Sequence, residues 1–260
     1  MPIIFFVGHG VTEKSVKTEY KDNKYIKNDF VELLNKIDQV IIPNIPYHHL
    51  YYYQKSDIIG WKDRYNNITK LDIDDIYIAN FIKNLKIDKN QKYILMGHSD
   101  GIYFAMEFAK QYPNLTEHII SLDGSWVSTE LCKQRLENWK KKSKKVNLIK
   151  SQTELNKIVN KIMTEEDNGK YISQVMDHTR LEHTNECIDN NYENIIKKIN
   201  YTVFRDFNGD ANSEINKQFN DYAIREHNIL SNLSDKYRIF WYINATHDIW
   251  FNENCTKSKF

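Results

Sequence analysis

Five residues, Gly97-His98-Ser99-Asp100-Gly101, follow directly on the apolar run 93–96 and directly precede a stretch of helical periodicity that begins near Ile102. A serine hydroxyl is a weak nucleophile at neutral pH. Chemistry at Ser99 therefore needs a histidine to take its proton and a carboxylate to orient that histidine. An attacking serine must also stand clear of the sheet on a tight strand-to-helix turn, and glycines two positions to either side let the neighbouring backbones pass. Gly97 and Gly101 meet that demand. The plainer alternative is a serine whose hydroxyl caps the helix. Histidines and aspartates both follow Ser99 in the chain, as a nucleophile–base–acid set requires.

The elements that must position these residues read as a doubly wound parallel sheet. Strands buried on both faces appear as short continuous apolar runs, and the sequence has six of them: 3–7, 40–42, 93–96, 118–122, 201–207 and 238–243. Helical stretches are expected over 29–37, 73–85 and 102–112, the last stopped by Pro113. A further helix over 213–230 carries Ile215, Phe219, Tyr222 and Ala223 at the spacing of one buried face. Alternating strands and helices argue for an α/β class.

Between 126 and 200 the strand signal disappears. The expected organisation is a core made of 1–125 and 201–260, with 126–200 as an inserted helical lid. Within the lid, Ser151 and Glu154 form a capping-box pattern, and Leu155, Ile158, Val159, Ile162 and Met163 recur as one apolar stripe. His178, His183 and Cys187 lack the paired spacing of a zinc site, so no metal is expected. Three cysteines, Cys132, Cys187 and Cys255, lie far apart and read as reduced thiols of a cytoplasmic protein.

The 36 basic and 35 acidic side chains leave a net charge of +1, which disfavours nucleic acid as a partner. The run Lys140-Lys141-Lys142-Ser143-Lys144-Lys145 reads as a solvated face. No apolar stretch approaches the roughly 20 residues of a membrane span. The tyrosines 47 and 51–53, and Trp126, are candidates for packing or for the wall of a pocket.

With the Ser99 turn in this setting, the sequence over roughly 2–251 resembles the α/β-hydrolase family. Phe5-Phe6-Val7-Gly8-His9-Gly10-Val11 looks like that family's oxyanion segment, which implies the backbone N–H groups of Val11 and Asp100 as oxyanion donors. Ile41-Ile42-Pro43-Asn44-Ile45-Pro46 is similar to the next strand and turn, with Asn44 in place of an acid. The resemblance implies Asp210, after the penultimate strand, as the triad acid, with Asp206 and Asp123 as rivals. It implies His247, just past the last strand, as the base. Asp210 would hold the histidine's tautomer, and His247 would accept the Ser99 proton and return it to the leaving group.

Three features depart from the family pattern. Ile102 stands where relatives carry a small residue, which suggests a helix set farther from its strand. The usual first hairpin is missing, and only 248–260 follow the histidine, so the last strand is expected to be thinly covered and the chain to self-associate. The resemblance implies hydrolysis of a carboxylic ester or related small acyl compound through a Ser99 acyl-enzyme, with no cofactor. The alternative from another class is a non-catalytic binding protein that keeps the pocket.

Overall fold

A computed structural model describes residues 1–8, 18–21, 24–27, 29–45, 72–142, 148–164, 169–207 and 214–243. Six strands form one all-parallel sheet: β1 (Ile3–Phe6), β4 (Val40–Ile41), β5 (Tyr93–His98), β6 (Thr116–Leu122), β7 (Asn200–Phe207) and β8 (Tyr237–Ile243). Their spatial order is β4-β1-β5-β6-β7-β8, which places β5, the strand that ends at the Ser99 turn, inside the sheet. All six expected strands are present. A separate antiparallel hairpin, β2 (Thr18–Lys21) with β3 (Lys24–Lys27), was not anticipated, because its residues show no apolar run.

Side chains of β1 alternate between two cores, as a strand's period of two dictates. Ile4 and Phe6 join the larger core, whereas Ile3, Phe5 and Val7 join a smaller one with Met96, Leu122 and Val31. Helix α1 (Asp29–Ile37) covers the smaller core through Val31, Phe30 and Leu34. The larger core is built around α3 (Gly101–Gln111), buried at every position from Gly101 to Ala109.

The helix expected over 73–85 is divided in two. A 3-10 turn, Ile73–Ile76, precedes α2 (Ile78–Asn84), and Tyr77 between them is extended at φ −83 and ψ 119. The Asp72 carboxylate accepts from the Asp74 N–H at the start of the 3-10 turn, and the carboxyl group of Glu186 accepts from the Ile78 and Ala79 N–H groups that open α2. A distant side chain thus caps a second helix start that periodicity alone does not reveal.

Among the described residues, four helices stand between β6 and β7: α4 (Thr129–Lys142), α5 (Gln152–Thr164), α6 (Gly169–Asn190) and α7 (Glu193–Ile196). The capping pattern is realised at α5: the Glu154 N–H donates to Ser151 Oγ at 3.3 Å, and the Glu154 carboxylate accepts from the Lys150 N–H at 2.9 Å. Leu155, Ile158, Val159 and Ile162 are buried in the same core as Ile4 and Phe6, with Met163 packed against them.

Helix α8 (Glu214–Leu233) connects β7 to β8 as expected, but its buried face differs from the apolar stripe. Phe219 is 61% exposed, and the buried positions are Asn220, Ala223, Glu226 and Leu230. Glu226 turns inward because Arg205 on β7 needs a carboxylate there. On β8, Phe240 and Trp241 remain 52% and 37% exposed, the surface on which self-association was expected.

The cysteine reading is overturned in one respect. Cys132 on α4 and Cys187 on α6 are joined by a disulfide, although they lie 55 positions apart in sequence. Packing of the two helices brings them together, and linear spacing does not report a tertiary approach of that kind. The bond removes the ground on which the sequence placed the chain in a reducing compartment. Among the described residues, no helix is long and apolar enough to cross a membrane.

Candidate active site

The turn after β5 has the form that an attacking serine requires. Ser99 adopts φ 50, in the left-handed region that costs a side-chain-bearing residue about 1–2 kcal/mol. Its flanking glycines are required sterically. A Cβ on Gly97 would stand 2.5 Å from the Ile102 Cα, and one on Gly101 would stand 2.1 Å from the Phe6 carbonyl oxygen. Strand β1 therefore passes directly against the start of α3, and Gly8, next along the chain, lies beside Ser99: a Cβ there would be 2.6 Å from the Ser99 Cβ.

The capping alternative does not fit the helix start. The N-cap residue of α3 is Asp100, one position beyond the serine. Nor is α3 held away from the sheet by Ile102. That residue is fully buried, and Gly124 makes room for it, since a Cβ on Gly124 would sit 3.0 Å from the Ile102 Cβ.

The peptide between Ser99 and Asp100 is fixed through its carbonyl. The Ser99 oxygen accepts from the Ser125 N–H at 2.9 Å and from the Ile102 N–H at 3.3 Å. A trans peptide is planar with its C=O and N–H opposed, so these two bonds also set the direction of the Asp100 N–H. Asp100 is buried, with 3% of its surface exposed, and its carboxylate accepts from the Ser125 hydroxyl and from Arg135 Nη2, the latter at 3.2 Å. Arg135, on α4, also donates to the Tyr103 hydroxyl at 3.0 Å. Burial pushes the Tyr103 hydroxyl up to about 12, so it stays protonated at neutral pH.

The rival acids are engaged in different ways. Asp123, at the end of β6, has φ 42, and its Oδ1 pairs with Arg205 Nη1 at 3.3 Å. Arg205 also donates to the Gly124 carbonyl, pairs with Glu226 at 3.0 Å and lies 4.4 Å from the centre of the Trp126 ring. Burial opposes the Arg205 charge, but Asp123 and Glu226 more than offset it and hold the guanidinium firmly protonated. Asp206 is the next residue on β7, so its side chain leaves the opposite face of the strand from Arg205. Asp210, His247, Val11 and His9 lie outside the described residues.

His98 is buried at the end of β5, where a Cβ on Gly8 would lie 3.0 Å from its Nδ1, so it packs between strand and turn. His183 packs edge-on against Phe104 in the core, and Cys187 is joined to Cys132 by a disulfide. Sequence reasoning missed Ser125, Arg135, Arg205 and Glu226, since their roles arise from approaches across the fold.

The parallel sheet order, with a strained serine between the central strand and a buried helix, decides the architecture. The fold is that of the α/β-hydrolases. No family model matches the chain, and no curated protein matches it. Among solved structures, a lipase-esterase related protein from Clostridium acetobutylicum ATCC 824 is similar at TM-score 0.47 and 14% identity, over 98% of this chain and 90% of that one. MenH from S. aureus is similar at 0.46 and 14%, over 96% and 87%. The hydrolase olei00960 from Oleispira antarctica is similar at 0.45 and 10%, over 98% and 86%. The sheet order and the Ser99 turn decide the fold, not these three likenesses at TM-scores below 0.5.

Proposed function

We propose that the chain is a serine hydrolase that cleaves a carboxylic ester or related small acyl compound. The observation that carries this reading is the strained φ of Ser99 at the head of α3, beside a peptide whose carbonyl is fixed by two hydrogen bonds. In the reaction, Ser99 Oγ attacks the acyl carbon while His247 takes its proton. Asp210 holds the histidine, and the N–H groups of Val11 and Asp100 receive the negative charge that develops on the substrate oxygen. The leaving group departs with the proton from His247, and water then releases the acyl group by the same route.

Of the rival acids, Asp123 has one oxygen committed to Arg205, which favours Asp210. The helices between β6 and β7 serve in this reading as the lid over the site. Intact mass spectrometry after exposure to a fluorophosphonate tests the nucleophile without a known substrate. Ser99 Oγ bonds to phosphorus and fluoride leaves, so the wild type gains one adduct and Ser99→Ala gains none. If both proteins stay folded and neither is labelled, the chain is a binding protein that keeps the fold without the chemistry.

A further inference from the structure

Asp100 poses a problem for the chemistry proposed at Ser99. Its N–H is an oxyanion donor, yet its own side chain is a buried carboxylate one residue from the place where negative charge must accumulate. In a site of low dielectric, an uncompensated carboxylate there would oppose that charge. The start of α3 favours an anion, which eases burial of the carboxylate but does not cancel its field at the reaction centre.

Ser125 and Arg135, both from outside the turn, meet this carboxylate. Ser125 grips the turn twice, donating its N–H to the Ser99 carbonyl at 2.9 Å and its hydroxyl to Asp100. Arg135 reaches over from α4, placing Nη2 3.2 Å from Asp100 Oδ1 and Nη1 3.0 Å from the Tyr103 hydroxyl on α3. Its side chain is largely buried and that of Asp100 nearly fully, so water screens the pair weakly.

We propose that Arg135 is a positioning residue for the oxyanion donor, balancing the Asp100 carboxylate and holding it, with Ser125, so that the Asp100 N–H points at the developing charge. The inference rests on the hydrolase reading. It also makes the register of α4 against α3 a determinant of the rate, because the guanidinium that serves the turn is carried by the first helix between β6 and β7.

The test is the second-order rate of fluorophosphonate labelling of the full chain, followed by intact mass, with circular dichroism to confirm the fold of each variant. Arg135→Gln is expected to label about tenfold or more slowly than wild type. The charge-balanced pair Asp100→Asn with Arg135→Gln is expected to recover to within roughly threefold, which a merely structural role would not produce. Arg135→Gln labelling at the wild-type rate, or a double variant as slow as the single, overturns the inference and leaves the hydrolase reading intact. If Arg135→Gln does not fold, Arg135→Lys decides: it keeps the positive charge beside the Asp100 carboxylate and must label within roughly threefold of wild type, and a tenfold loss overturns the inference. A wild type that takes no adduct overturns the hydrolase reading and this inference with it.

Discussion

Ser99 holds a backbone angle that glycine accepts freely and serine does not. Ser99→Gly should therefore raise the unfolding free energy by about 0.5–1 kcal/mol in urea titration, the strain released less the extra chain entropy that glycine loses, while fluorophosphonate labelling disappears. A variant no more stable than wild type would mean the turn is relaxed around the serine. At this scale the legible features were the local ones. The Gly97 and Gly101 spacing states a steric demand within five residues, and the structure answers it with Ile102 and Phe6 at 2.5 and 2.1 Å. The Arg135–Asp100 pair was not legible, since its partners lie 35 residues apart and meet only once α4 has packed. Ile102 misled for the same reason: the space it needs comes from Gly124.

All six strands were legible from their apolar runs, but the buried face of a helix with a charged inward position was not. Strands β1 and β5 read directly from their runs, whereas α8 buries Glu226 and leaves Phe219 outside, because the cation it must meet sits on another strand. The break at Tyr77 was equally hidden, since the carboxyl group that caps α2 comes from α6. That carboxyl group carries a pH dependence. Burial first, and then the neighbouring Glu107, push Glu186 up to about 8 from 4.5. The folded state thus keeps a proton that the unfolded chain releases. The stability it contributes is fully present below about 4.5 and is lost as pH rises through about 8. Urea midpoints at pH 5 and pH 8 should show wild type losing on the order of a few kcal/mol across this interval, and Glu186→Gln losing less. An equal loss in both proteins would assign the slope to other groups.

For the whole molecule, six apolar runs in the right order were enough to indicate the sheet, while the bond between α4 and α6 was not visible in cysteine spacing. The disulfide spans 55 residues, and a loop of that size is expected to add about 4 kcal/mol by restricting the unfolded chain. Unfolding in urea with and without dithiothreitol should show a midpoint lowered by reduction, and a midpoint unchanged in protein that mass spectrometry shows to be reduced would contradict this. The bond braces α4, the helix that carries Arg135, against α6. Helix α3, by contrast, needs no such tether. Enclosed from Gly101 to Ala109, it has no solvent-facing side from which to unwind, so its amide hydrogens should exchange with deuterium only when the entire domain opens. The two-residue edge strand β4 can fray and re-form many times in that interval. The slowest clock in the protein is therefore set at the helix that begins beside Ser99, and the shape of that turn outlasts every partial opening around it.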